Sequence, residues 1–213
     1  MKLTRELTTA AIAILVLTAI LGVAYPLVMT GISQVAFPGR ADGSQIKVDG
    51  KLVGSRLIAK PFVLDTGRKD ADGNPITRPD PKYFQPRPSQ TDYSGTASAF
   101  SNRGPNSAVG RFFFRDALAS YLALEKRYDP GLTAARVPVD AVTTSASGVD
   151  PHISQANARI QAHRIASVRG LPLARVDALI EANTDGRFLG VIGEPGVNVL
   201  ELNLALDKEA PAR

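Results

Sequence analysis

Between Glu6 and Arg40 the chain carries no charged residue for 33 consecutive positions. A helix of a water-soluble domain needs at least one polar face, whereas a bilayer rewards apolar side chains on every face. The central part, Leu7 to Ile32, reads LTTAAIAILVLTAILGVAYPLVMTGI, and its threonines can bond the carbonyls of their own helix. At ~1.5 Å per residue this helix is ~39 Å long, more than a hydrocarbon core of ~30 Å. Pro26 removes one backbone donor near its outer end, which membrane helices tolerate at a kink. The rival reading is a cleaved signal peptide, since Lys2 and Arg5 make a short basic start. The apolar region of such peptides is about 7–15 residues, and this one is far longer. Lys2 and Arg5 on a short tail place the N-terminus in the cytoplasm, although Arg40, Lys47 and Lys51 pull the other way. The predicted organisation is a cytoplasmic tail (1–6), a transmembrane helix (7–32) and one extracytoplasmic α+β domain (33–213).

Composition narrows the chemistry. Lys and Arg number 25 against 20 Asp and Glu, a mild surplus spread along the chain without the basic stripe and interleaved aromatics of a nucleic-acid surface. Cysteine is absent, which excludes disulfides, thiolate metal sites, thiol nucleophiles and a lipid-anchor cysteine.

Behind the apolar run, Asp49-Gly50 between two β-prone stretches in Gln45–Lys60 predicts a hairpin. From Phe62 to Pro105 prolines and glycines recur, and the segment is predicted to be irregular, without ladders. Its aromatics, Phe62, Tyr83, Phe84, Tyr93 and Phe100, argue for order. Asn106 or Ser107 caps a helix through VGRFFFRDALASYLALEKRY, which turns Phe114, Leu118, Tyr121 and Leu122 inward and stops before Asp129-Pro130-Gly131. Val137–Thr144 reads as a short strand. Asp150-Pro151 reads as the cap and first turn of a helix reaching Arg169 before Gly170. A further helix covers Leu173–Ala182. Leu200, Leu202, Leu204 and Leu206 alternate with more polar neighbours and read as a closing strand. The sum is α+β with a small sheet and about three helices.

No phosphate loop, dinucleotide fingerprint, zinc-protease motif, nucleophile elbow or Asp-Lys-Thr-Gly phosphorylation site occurs in the sequence. His152 and His163 fall on one predicted helix ~16 Å apart, too far to share a metal ion. Thr144, Ser145, Ser147, Gly148, Asp150 and His152 form the densest polar cluster, where hydroxyls and a helix N-terminus could meet a partner or an anion. A serine, histidine and aspartate here also admit an anchored extracytoplasmic hydrolase, and a released binding module is a further alternative. Triad members normally come from distant segments, however.

Five segments carry a resemblance: Gly54-Ser-Arg-Leu-Ile58, Tyr83-Phe-Gln-Pro-Arg-Pro-Ser89, Ser101-Asn-Arg-Gly-Pro105, Val137 to Ser154 (VPVDAVTTSASGVDPHIS) and Gly193 to Asp207 (GEPGVNVLELNLALD). Together with the N-terminal helix they resemble the C subunit of the Kdp potassium-transporting ATPase family over nearly the whole chain. After Ile58 the family usually continues Gly-Gln where this chain has Ala59-Lys60. The polar stretch between Phe62 and Tyr83 is extra, and Arg103 stands where an apolar residue is common. The resemblance implies a non-catalytic, single-span accessory subunit of a high-affinity potassium uptake complex. Its partners would be a channel-like potassium-binding subunit, a P-type ATPase subunit and a small single-helix subunit. The family stabilises that assembly and raises the ATP affinity of the ATPase subunit; ATP, magnesium and potassium are expected on the partners rather than on this chain. The Ser145–Gly148 stretch is the nucleotide-linked candidate, and Tyr83, Phe84, Arg87, Ser89 and Asn102 are the interface candidates.

Overall fold

The apolar run forms one helical stretch, Lys2–Ala36, of 35 residues, long and apolar enough to cross a membrane. It comprises α1 (Lys2–Leu17), a π-helical segment (Thr18–Ala24) and α2 (Tyr25–Ala36). The computed structural model describes residues 2–104 and 106–211 of the chain, which parts into two compact units between Ser55 and Arg56. In the first unit, Thr8 Oγ1 and Thr9 Oγ1 donate to the carbonyls of Thr4 and Arg5, both at 2.9 Å, which hides their polarity within the helix. The proline ring of Pro26 crowds the carbonyl one turn earlier, and the chain answers with the wider π turn directly before it, where Tyr25 N–H reaches back five residues to Ile20 O. A short α3 (Pro38–Ala41) leads to β1 (Gln45–Val48) and β2 (Lys51–Ser55), paired antiparallel. Asp49 and Gly50 have φ of 49° and 77°, the two positive values that an Asp-Gly hairpin turn requires.

The second unit begins with another hairpin, β3 (Val63–Lys69) and β4 (Pro75–Pro79). This corrects the expectation of a ladder-free stretch. Pro75 and Pro79 are the end residues of a strand in a two-stranded ribbon, where a missing donor costs least. The turn is closed by the Asp70 carboxylate, which accepts from the backbone N–H of Asn74 (2.8 Å) and of Asp72 (2.9 Å). The extra polar stretch is therefore this hairpin.

α4 (Ala108–Glu125) starts at Ser107, whose Oγ accepts from Gly110 N at 3.1 Å, and its predicted inward residues are half-buried. Val137–Thr144 is not a strand: Pro138 leads into a 3₁₀ turn over Val139–Ala141. Asp150 does not cap a helix. Pro151 precedes β5 (His152–Ile153), and the cap of α5 (Gln155–Arg169) is Ser154, whose Oγ accepts from Asn157 N. Asp140 braces that start, accepting from Ser154 N, Ser154 Oγ and Asn157 Nδ2. Gly170 ends α5 in the left-handed conformation, φ 66°. α6 (Leu173–Ala182), β6 (Thr184–Asp185), β7 (Gly196–Asn198) and α7 (Val199–Glu209) complete the chain, with strand order β5-β7-β6, all antiparallel.

The closing strand is thus a helix. Asn198 Oδ1 accepts from Glu201 N and initiates it, and Val199, Leu202 and Leu206 then fall on one buried face. α5, α6 and α7 pack with β5 and β7 around Ile153, Ile165, Val176, Ile180, Val197 and Leu202, and Phe84 inserts from the loop after β4. Phe84 is held at both backbone groups by one buried side chain: its N–H donates to Asn203 Oδ1 and its carbonyl accepts from Asn203 Nδ2, both at 2.9 Å. Replacing Asn203 by Leu keeps the volume but orphans two buried backbone groups. Unfolding of the full chain in detergent should show a loss of at least ~2 kcal/mol.

Candidate functional site

The loop after β4 and the segment between the 3₁₀ turn and α5 run side by side, joined by polar contacts. Arg164 on α5 places the first loop. Its Nε donates to both Glu125 oxygens (2.9 and 3.1 Å), Nη1 to the carbonyls of Pro81 and Tyr83, and Nη2 to Gln161 Oε1. Both charges are buried, at 0% and 1% side-chain exposure. Gln161 in turn accepts from Gln85 N (2.7 Å) and donates to Gln85 O (3.1 Å). With Phe84 clamped by Asn203, the chain from Pro81 to Gln85 is read by side chains of α5 and α7.

Tyr83 stacks on Phe62 at 4.9 Å, lies under the Arg169 guanidinium at 4.7 Å and donates its hydroxyl to Asp207. Burial, with Asp207 beside it, pushes its phenol above the usual range. Tyr83, Phe84, Arg87 and Ser89 are therefore not exposed anchors. Phe84 is wholly buried in the core, and the others are half-buried in contacts within the chain. Asn102 is exposed, with a φ of 52° that asparagine accepts readily.

Arg87 and Ser89 bind the second segment. Arg87 donates to Thr144 O (3.2 Å) and Thr143 Oγ1 (3.4 Å) and pairs with Asp150 (3.4 Å). Ser89 Oγ donates to Gly148 O at 2.6 Å and accepts from the N–H groups of Thr91 and Tyr93. Tyr93 donates its hydroxyl to Arg87 O, and burial, with Asp92 nearby, pushes that phenol up to about 12. Ser147 O receives Ala99 N and Ser98 Oγ, and Val149 O receives Ala59 N. Ser145, largely buried, accepts from Gly148 N, and Ser147 Oγ accepts from Val149 N. Gly148 has a φ of 74°, and a Cβ there would stand 2.8 Å from Ala99 O and 3.1 Å from Thr91 Oγ1.

The six polar candidates thus divide. Thr144, Ser145, Ser147 and Gly148 shape the segment, while Asp150 and His152 belong to a chain of charges. Nδ1 of His152 lies 3.5 Å from Asp150 Oδ1, and Nε2 lies 3.1 Å from Asp185 Oδ2. Asp185 also pairs with Arg56 at 2.8 Å, and Arg56 with Glu201 at 3.2 Å. Both ring nitrogens face carboxylates, so the histidine is not aimed at either serine as a base, and the imagined triad does not assemble. His163 lies on α5 and His152 on β5, which corrects their placement on one helix. Sequence reasoning does not reach Asp185 as the second partner of His152, nor Arg56 as the partner of Asp185. Arg56 stands in the quoted Gly54–Ile58 segment, whereas nothing local marks Asp185.

The hydrogen bond to Asp150, and then Asp185, raises the His152 pKa above its ordinary value, outweighing burial. Burial acts to raise the Asp150 carboxyl, but His152 and Arg87 outweigh it and the net shift is downward.

This architecture defines a class: a small α+β unit in a chain with, among the described residues, one membrane-length helix, its polar motifs spent on internal loop clamping. The profile of the family described as K+-transporting ATPase, c chain (KdpC), matches residues 7–208. A potassium-transporting ATPase KdpC subunit from Sorangium cellulosum is 45% identical over 205 residues, covering 95% of this chain and 97% of that protein. Proteins of the same name from Rhodospirillum rubrum and Polaromonas naphthalenivorans are 44% and 46% identical, over 97% and 96% of this chain and 97% and 95% of their own lengths. The chain belongs to the KdpC family.

Gly148→Ala should destabilise the full chain by at least ~2 kcal/mol in denaturant unfolding, since the left-handed backbone and the Ala99 carbonyl both oppose a Cβ. For His152→Asn the pH profile is diagnostic. A raised folded-state pKa contributes stability that is fully present below the unfolded value of ~6.5 and is lost as pH rises through the folded value. The melting-temperature gap between wild type and His152→Asn should be widest below pH ~6 and close at alkaline pH.

Proposed function

We propose that this chain is a non-catalytic accessory subunit of an ATP-driven potassium uptake complex, anchored by Lys2–Ala36 in a bacterial inner membrane with its N-terminus cytoplasmic and its α+β unit outside. The observation that carries this reading is the family match, which runs from the apolar helix to α7. The internal use of Ser145, Ser147 and His152 supports a scaffold over a hydrolase. The partners are a channel-like potassium-binding subunit, a P-type ATPase subunit and a small single-helix subunit, which bind the potassium, ATP and magnesium. This chain stabilises their assembly and raises the ATP affinity of the ATPase subunit.

With the α+β unit outside, it cannot touch cytoplasmic nucleotide, and its effect on ATP is a coupling free energy transmitted through the assembly. The segment Thr144–Gly148, held rigid by Arg87 and Ser89, then serves as a structural support rather than a phosphate cradle. Asn102 remains the exposed interface candidate.

The test is the purified complex with and without this chain. Omission should raise the KM for ATP about 5–150-fold, the range of couplings of ~1–3 kcal/mol, and should shed partner subunits in detergent. A complex that assembles and binds ATP unchanged without the chain would sink the proposal.

A further inference from the structure

The turn between β6 and β7 carries four large apolar side chains in the open. Phe188, Leu189, Val191 and Ile192 are 68%, 78%, 73% and 61% exposed. Such a group within five positions differs from the singly scattered apolar residues that any surface shows. The turn is built rather than slack. Phe188 N–H donates to Ile192 O at 2.8 Å and Ile192 N–H to Phe188 O at 3.0 Å, with Leu189 and Gly190 at φ of 53° and 78° between them. Arg187 reaches across its base to Glu194 at 3.1 Å.

Leu189 adds a second observation. The left-handed conformation favours glycine or asparagine, yet a branched apolar residue stands there with most of its surface in water. Neither folding nor solubility gains from it, and such strain at an exposed site points to binding.

The charges of the segment indicate the kind of partner. From Thr184 to Gly196 the ionisable residues are Asp185, Arg187 and Glu194, and the single base is already paired with Glu194. Apolar elements that seat on anionic lipid are normally ringed by several Lys or Arg. Here three acids, Asp185, Glu194 and Glu201, stand against two paired arginines, Arg187 and Arg56, with His152 also on Asp185, and Glu194 keeps 84% of its side chain exposed beside Arg187. An apolar socket with a cationic rim, on a protein, complements it.

We propose that the Phe188–Ile192 turn is the anchor by which this chain docks into an apolar, basic-rimmed socket on another protein subunit of the transport complex. The proposal rests on the accessory-subunit reading and adds to it a surface and a partner chemistry. A turn already held in its bound shape loses little conformational freedom on entering a pocket, which leaves more of the buried apolar area to appear as affinity.

Two experiments on the full chain in its native membrane test it. A benzophenone photocrosslinker at Leu189 should attach to another polypeptide of the complex. Attachment to lipid alone, to a second copy of this chain, or to nothing would overturn the proposal. In the second, Leu189→Asn with Val191→Asn removes the apolar tip while suiting the turn's backbone, so the chain stays folded. Recovery of partner subunits with a tagged chain should fall roughly tenfold or more. Recovery equal to wild type would overturn the docking turn and leave the accessory reading standing. Failure of the wild-type chain to recover any partner would instead remove the reading beneath it.

Discussion

A guanidinium shut away from water must find partners for its nitrogens, and in this protein the partners of Arg164 are the structure. Its three nitrogens join α4 through Glu125, the loop after β4 through two carbonyls, and α5 through Gln161. Removing one member would leave a buried charge or buried carbonyls without partners, a cost of ~3–5 kcal/mol for a broken ion pair alone. The cluster therefore acts as a locking point, and its consequence is positional. Once Pro81 and Tyr83 are tied to α5, Phe84 reaches the core and Asn203 can take both of its backbone groups.

Everything downstream in that loop inherits the placement. Arg87 and Ser89 lie beside the Thr143–Val149 segment because Gln85 is held by Gln161 a few residues earlier. A proline-rich segment cannot satisfy its backbone through ladders alone. Here side chains and opposing carbonyls take that role, and Gly148 admits the close approach. Residues that looked like chemical groups in isolation are mostly the mortar of this junction. Asp150 and His152 instead link it to Asp185, Arg56 and Glu201, which joins the junction to β6 and the start of α7.

Local signals were legible where the deciding interaction is also local. The apolar run, the Asp49-Gly50 turn, the Ser107 cap and the Gly170 stop each depend on a few neighbouring residues. Two readings give way where two local signals compete, and a third where the deciding contacts are remote. Leucines at every second position in 200–206 suit a strand, but the Asn198 cap and strong helix formers suit a helix, and as a helix the chain brings Val199, Leu202 and Leu206 together into the core. Asp150-Pro151 has the chemistry of a helix start, as does Ser154, and Asp140 reinforces only the latter. Tyr83 and Phe84 read as surface anchors because the prolines around them suggested a surface loop. Their burial depends on Arg164, Gln161 and Asn203, which lie about eighty or more positions away.

The membrane-length helix, the α+β class, the family and the residues worth watching are all legible without coordinates, because each rests on composition, short spacings or near-contiguous motifs. What those residues do is set by the folded arrangement. It turned the hydroxyl cluster into a loop clamp, set His152 between two carboxylates, buried Phe84 and left Phe188 to Ile192 uncovered. The physical reason is that burial and pairing belong to contacts between segments far apart in the chain, which no local pattern encodes.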